Sequence, residues 1–220
     1  MPLQGGEYYR ALESARVAAY NGYMVSGLWT ISFLLLAAPA RAQIAPPPAV
    51  KPQNLEMRIS ELINAERVKV KLKPLKIDPK LSEIARRHSE DMARRGFFDH
   101  VNPDGRGPTE RGLAAHYKCV KHLAPYVSQD ANGNVVEGEY VAEGLAENIF
   151  QNNLYSRVII SGANKKYEWN TADKIARTTE EGWMASPGHR QNILTGRYEK
   201  TGVGVAIAAN AQILITQMFC

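Results

Sequence analysis

Three side chains of this sequence are placed to do chemistry: His100, Glu147 and His189. Two imidazoles and a carboxylate make a borderline-soft donor set that suits Zn²⁺ or another divalent cation, with water in the open position. The same trio could move protons, since imidazole titrates near neutral pH. A third reading is structural, with Glu147 bridging the two histidines in a hydrogen-bond network. Each of the three stands where a regular element begins or ends. His100 closes Phe97-Phe98-Asp99-His100, which leaves a helix and enters the turn formers Asn102-Pro103-Asp104-Gly105. Glu147 opens a strand-like run, Ala146-Glu147-Asn148-Ile149. His189 follows Pro187 and Gly188, which stop the helix that carries Trp183, so it is expected in a constrained turn just beyond that helix.

Other motifs carry less. His88 lies on the apolar face of a helix and reads as a hydrogen-bonded core histidine. Asp99, Asn102 and Asp104 lack the ligand spacing of an EF-hand, and plain turn chemistry accounts for them. Gly202-Val203-Gly204 is no dinucleotide fingerprint, because Ile207 stands where the third glycine would be. The sequence has no Gly-x-Ser-x-Gly, His-Glu-x-x-His or phosphate-binding loop.

The elements that must position the trio follow from periodicity. Leu55, Ile59, Leu62 and Ile63 share one helical stripe, in a helix expected from an Asn54 cap to about Val68. Asp78-Pro79 starts a second helix with the stripe Leu81, Ile84, Ala85, His88 and Met92, and Gly96 ends it. Thr109 is expected to cap a short helix through Ala115. Residues 129–134 read as a hairpin turn, and Val158-Ile159-Ile160 as a short strand or an excursion. Thr171 or Asp173 opens the helix to Trp183. Two alternating apolar segments, 201–209 and 211–219, form a terminal hairpin. Helices first and strands later, without regular alternation, indicate an α+β domain.

Composition sets the context. A hydrophobic content of 45% over 220 residues allows a substantial core. The net charge of +5 includes a lysine run at 69, 71, 73, 76 and 80. No aromatic interleaves it, which argues against a nucleic-acid stacking platform and for a solvated loop. The apolar run 27–38 is short for a membrane span. With Ala40-Arg41-Ala42 behind it, residues 1–42 read as a signal peptide, which implies a secreted or periplasmic protein with no stable membrane span after cleavage. Residues 43–53 are a proline-rich linker and residues 54–220 the folded domain. Cys119 and Cys220 are either two thiols or, in an exported chain, a disulfide closing a loop of about one hundred residues.

Four segments taken together, Phe97–Gly105, Ala146–Ile149, Trp183–Leu194 and Gly202–Ala206, resemble bacterial members of the CAP superfamily (cysteine-rich secretory, antigen 5 and pathogenesis-related proteins). The resemblance spans roughly residues 55–220. It implies an α-β-α sandwich with a central antiparallel sheet, and a cleft lined by two His and two Glu. By motif position His100 and His189 match the two histidines and are the implied metal ligands. Glu147 matches one glutamate and is the candidate catalytic base. The second glutamate falls on Ser186, so Ser186, Asn148 and Glu181 are left to support the cleft, with Glu180 or Glu181 the acids within reach. The resemblance further implies lipid, sterol or envelope-glycan ligands. A zinc-dependent, peptidase-like hydrolase and a purely structural module are the alternatives. Segments 117–145 and 151–170 exceed the compact bacterial pattern, and their tyrosines and Trp169 read as a small core of their own.

Overall fold

The computed structural model describes residues 49–220 apart from Ala163. The expected signal peptide and the first part of the linker lie outside the described residues. Helix α1 spans Pro52–Lys69. It begins two residues before the expected Asn54 cap, because Pro52 is itself a first-turn residue with its φ already helical. Leu55, Ile59 and Ile63 on its inner stripe are fully buried, each contributing roughly 1.5–3 kcal/mol of burial. A two-residue strand, β1 (Lys76–Ile77), precedes α2 (Pro79–Arg95). Asp78 caps α2 through Oδ1, which accepts from the amides of Lys80 and Leu81 at 2.8 and 3.1 Å. Gly96 ends it at φ 69°, a left-handed conformation open to glycine without strain.

Helix α3 runs Pro108–Ala114 with Gly107 at its N-cap. The cap expected of Thr109 is not made, since Pro108 already occupies the first turn. Thr109 Oγ1 instead accepts from the Leu145 amide at 3.1 Å and ties α3 to the chain entering the sheet. Strands β2 (Val120–Gln129) and β3 (Val135–Glu143) form a long hairpin around the expected turn. Strand β4 (Ala146–Asn153) is followed by a second hairpin, β5 (Tyr155–Ser161) and β6 (Asn164–Trp169). There Tyr167 stacks on Trp169 at 5.0 Å and Tyr155 meets Tyr167 edge-on at 5.3 Å; the three rings are half-buried, and Trp169 also packs against the main core. Thr171 caps α4 (Ala172–Ala185), accepting from the Lys174 amide at 3.2 Å. After α5 (Pro187–Ile193) the chain ends in the hairpin β7 (Lys200–Ile207) and β8 (Gln212–Phe219).

The central sheet has the order β1-β7-β8-β4. Strand β8 is antiparallel to both neighbours, while β1 adds to β7 in parallel, so the sheet is mixed at that edge rather than wholly antiparallel. Alternation along β8 divides the core. Ile213, Ile215 and Phe219 face the cluster that holds α1, α4 and Trp183, and Met218 faces α2. Helix α2 lies so close to β7 that a Cβ built on Gly202 or Gly204 would stand 2.1 Å from the Ser82 nitrogen or 2.0 Å from the Arg86 nitrogen. Glu56 of α1 cross-links the layers, with Arg86 forked onto it at 2.7 and 3.0 Å and the Val205 amide donating at 3.1 Å. A disulfide joins Cys119 to Cys220, Cα atoms 5.7 Å apart, and fixes the base of the β2–β3 hairpin to the end of β8.

Candidate functional site

Register decides which way each site residue points. Glu147 pairs with Met218 across β4 and β8, so its side chain faces α2. Asn148 faces the opposite way, toward α5. The Glu147 side chain is 1% exposed, yet neither oxygen lacks a partner. Oε1 lies 2.9 Å from His100 Nδ1, and Oε2 accepts from Arg111 Nη2 of α3. A carboxylate against Nδ1 sets the tautomer: Nδ1–H donates and Nε2 is left facing outward. Glu147 holds the His100 pKa above its ordinary value through that hydrogen bond.

The loop carrying His100 is fastened from beneath. His88, fully buried on α2, bonds the Asp99 carbonyl through Nε2 at 3.0 Å and comes within 3.9 Å of Glu147. Burial pushes its pKa down. Arg111 Nη1 donates to the carbonyls of His100 and Arg106, both at 2.8 Å. The core reading of His88 therefore holds, with the addition that it supports the site. His88 Nδ1 and Arg111 Nε are buried without a hydrogen-bond partner among the described residues.

His189 comes from the other layer. The constrained turn expected from sequence is instead the start of α5, so His189 sits in a helical first turn. Proline breaks the helix it interrupts and equally begins the next one. Asn148 Nδ2 donates to the His189 carbonyl at 3.1 Å, and Asn192 Nδ2 donates to Asn148 Oδ1 at 2.9 Å and to the Glu147 carbonyl at 3.2 Å. Trp183 is fully buried and donates to the Ile149 carbonyl at 3.0 Å. These bonds hold α4 and α5 against β4. The His189 pKa is lowered by burial and then by the charge of His100, so the two imidazoles sense each other. Half the His100 side chain is exposed.

The cleft-supporting candidates divide. Asn148 is buried and bonds the His189 carbonyl and Asn192. Ser186 is the shared junction of α4 and α5, and its side chain makes no capping bond. Glu181 is exposed on α4, and its side chain makes no bond to the site among the described residues. Burial raises the pKa of Glu180, whose nearby charges are Glu66 and Lys69 of α1, away from the histidines. Arg111 was not singled out from sequence. Its role depends on α3 folding back over β4, for which no local signal exists.

The donor set can be tested against a metal. Among the described residues no three His, Cys, Asp or Glu side chains come together as a metal-binding group. Glu147 is consumed by His100 and Arg111. A catalytic zinc centre needs three protein ligands and an open position, and these residues do not supply them. They supply two imidazoles, with Glu147 as the outer carboxylate that orients one of them.

A family model described as "CAP: Cysteine-rich secretory protein family" matches residues 60–219. The YkwD protein of Bacillus subtilis is 29% identical over 172 residues, covering 76% of this chain and 49% of that protein. The membrane protein YlbC of the same organism is 29% identical over 150 residues, covering 68% of this chain and 31% of that protein. The chain thus spans half the length or less of the curated relatives it matches. Among solved structures, an outer surface protein of Borrelia burgdorferi superposes with a TM-score of 0.52 at 13% identity, over 77% of this chain and 94% of that one. An extracellular protein of Bacillus anthracis containing an SCP domain gives 0.49 at 21% identity, over 76% and 40%. Fold, motifs and family match agree: the chain belongs to the CAP, or cysteine-rich secretory protein, family.

Proposed function

We propose that this chain is an exported CAP module that binds a ligand beside the His100–His189 pair without hydrolysing it. The observation that carries this reading is the state of Glu147. Both of its oxygens are engaged, one by an arginine, so it is neither a poised base nor a free ligand. The two imidazoles are the groups left to meet a partner, and a divalent cation held between His100 Nε2 and His189 would act as modulator. Lipids, sterols and envelope glycans are the ligand classes that membership of the family suggests. Export is supported by the Cys119–Cys220 bridge, a feature of oxidising compartments. Among the described residues no helix is long and apolar enough to cross a membrane.

The test is a calorimetric titration of Zn²⁺ into the metal-free chain. Binding is expected to vanish in His189→Ala. In Glu147→Gln, which keeps an acceptor for His100 Nδ1–H, it should weaken about tenfold, the range for an outer-shell change. Binding that survives His189→Ala would refute the two-imidazole site. Turnover of a peptide or ester substrate that Glu147→Gln abolishes would refute the non-hydrolytic reading.

A further inference from the structure

An open groove of about 450 Å³ runs between α2, the 102–106 turn and α3, and His88 and Arg111 line it. That volume falls in the range of small-molecule sites. Arg87, Arg94 and Arg95 line it from one face of α2, Arg106 from the turn and Arg111 from α3. Its acids are Glu90, Asp91 and Asp104. Two of them are paired within the groove, Glu90 makes no ion pair among the described residues, and Arg87 is held by Glu83. Asp91 takes Arg94 at 2.6 Å and Arg95 at 3.4 Å, and Asp104 takes both Nη atoms of Arg95 at 2.8 and 3.1 Å.

Arg106 is different. Its backbone is pinned, with the amide on Asn102 Oδ1 at 2.9 Å and the carbonyl on Arg111. Its guanidinium makes no hydrogen bond or ion pair among the described residues, and is felt only at a distance by Asp104. A guanidinium on a fixed backbone keeps its five-donor fork free for an oxyanion. The rest of the lining mixes the polar His88 and Asn102 with Ile84, Ala114 and Ala115. A fork for an anion beside polar side chains and a small apolar strip suits a sugar that carries an acidic group better than it suits a bare ion, since both the hydroxyls and the C–H face of the sugar have something to meet.

We propose that this groove binds an acidic saccharide, a sugar phosphate or uronate, with Arg106 as its principal anion contact. The inference rests on the reading of the chain as a ligand-binding module, and names a ligand class for it. It does not depend on the cation, because neither His100 nor His189 lines the groove.

The experiment is calorimetry on the full chain at low ionic strength with glucose 6-phosphate and glucuronate, against glucose and inorganic phosphate. At least one acidic sugar should bind, glucose should not, and inorganic phosphate should bind more weakly. Arg106→Gln should weaken binding about tenfold or more, as losing one or two charge-assisted hydrogen bonds does. Its melting temperature should be unchanged, because no protein partner is lost. Arg157→Gln, on β5 outside the groove, should bind like the parent. His189→Ala should still bind the sugar, so loss of Zn²⁺ binding and loss of sugar binding are separable failures. The proposal is overturned if neither acidic sugar binds, or if glucose binds equally well. It is also overturned if Arg106→Gln is without effect, if inorganic phosphate binds as tightly as the sugar, or if only vesicles of anionic lipid bind.

Discussion

Replacing Arg67 should unfasten the helix that carries His189. The Arg67 side chain of α1 is almost wholly buried, and no carboxylate among the described residues meets it. Its partners are four carbonyls: Lys73 at 2.9 Å, Ile193 at 2.6 Å, Thr195 at 3.0 Å and Tyr198 at 3.2 Å. Burial lowers its pKa, but a guanidinium stays charged. Two of the carbonyls lie at or just past the C-terminus of α5, the negative end of the helix dipole, where a cation is favourable. Arg67→Met keeps much of the stem and removes every donor. Four hydrogen bonds to a charged group, at about 1.5–3 kcal/mol each, set an upper bound of roughly 6–12 kcal/mol. Relief of the buried charge returns part of that, and removing one member of a buried charged network typically costs about 3–5 kcal/mol. Against a total stability of about 5–15 kcal/mol, that is a large fraction.

Urea unfolding of the full chain measures this. Arg67→Met should lower the unfolding free energy by about 3–5 kcal/mol, and Arg67→Lys by less, since an ammonium reaches some of the carbonyls but not as a fork. Because α5 also presents Asn192 to the Glu147 carbonyl, Zn²⁺ affinity should fall in Arg67→Met under conditions where it remains folded. A loss below about 1 kcal/mol in Arg67→Met would refute the clamp, as would a lysine variant as stable as the parent.

Gly204→Ala should cost about 3 kcal/mol or more in thermal melts, because its Cβ would overlap the α2 backbone. Gly196→Ala, whose nearest new contact is 3.5 Å from a Leu72 methyl, should stay within about 0.5 kcal/mol; equal effects would mean that α2 shifts freely. Reducing the disulfide, whose cysteines are 101 residues apart, should lower stability by roughly 4 kcal/mol, and an unchanged urea midpoint in reductant would contradict that. His88 has a folded pKa below its ordinary value of about 6.5, so its contribution is complete above that value and is lost as pH falls through the folded pKa. His100 has a raised pKa and acts oppositely: its contribution is complete below the ordinary value and is lost as pH rises through the folded pKa. His88→Gln should therefore flatten the acid limb of stability against pH, and an acid limb as steep as the parent's would show that His88 is not its source.

What the sequence carried plainly was local. Asp78-Pro79 and Gly96 bound α2 because capping is decided within a few residues, and the apolar stripe of α2 lies on its buried face. The three motif residues do gather around β4, although that gathering was inferred from resemblance and not from spacing. What the sequence did not carry is long-range. Pro187 signals a helix end and a helix start alike, and only the packing of Asn148 and Asn192 on α5 decides between them. Gly202 and Gly204 read as strand residues, and their reason is a helix that lies more than a hundred residues earlier in the chain. The β2–β3 hairpin is visible as a turn and β5 only as a short strand or an excursion at 158–160, and their strand lengths are not legible because exposed positions give weak alternation.

Arg111 changes the chemistry of the site more than any residue read from the sequence. With Ser186 where the family pattern has a second acid, Glu147 is the one carboxylate among the described residues that meets His88, His100 and Arg111 together. Arg111 cancels its charge before either imidazole is protonated. Asp99, one residue before His100, also bears on that imidazole, so a divalent cation on His100 and His189 would have one nearby carboxylate without an ion pair among the described residues and one already held by arginine. A hydrolase needs a carboxylate free to take a proton from water. Glu147, with one oxygen on His100 and the other on Arg111, is not free in that way, and this is what supports the non-hydrolytic proposal.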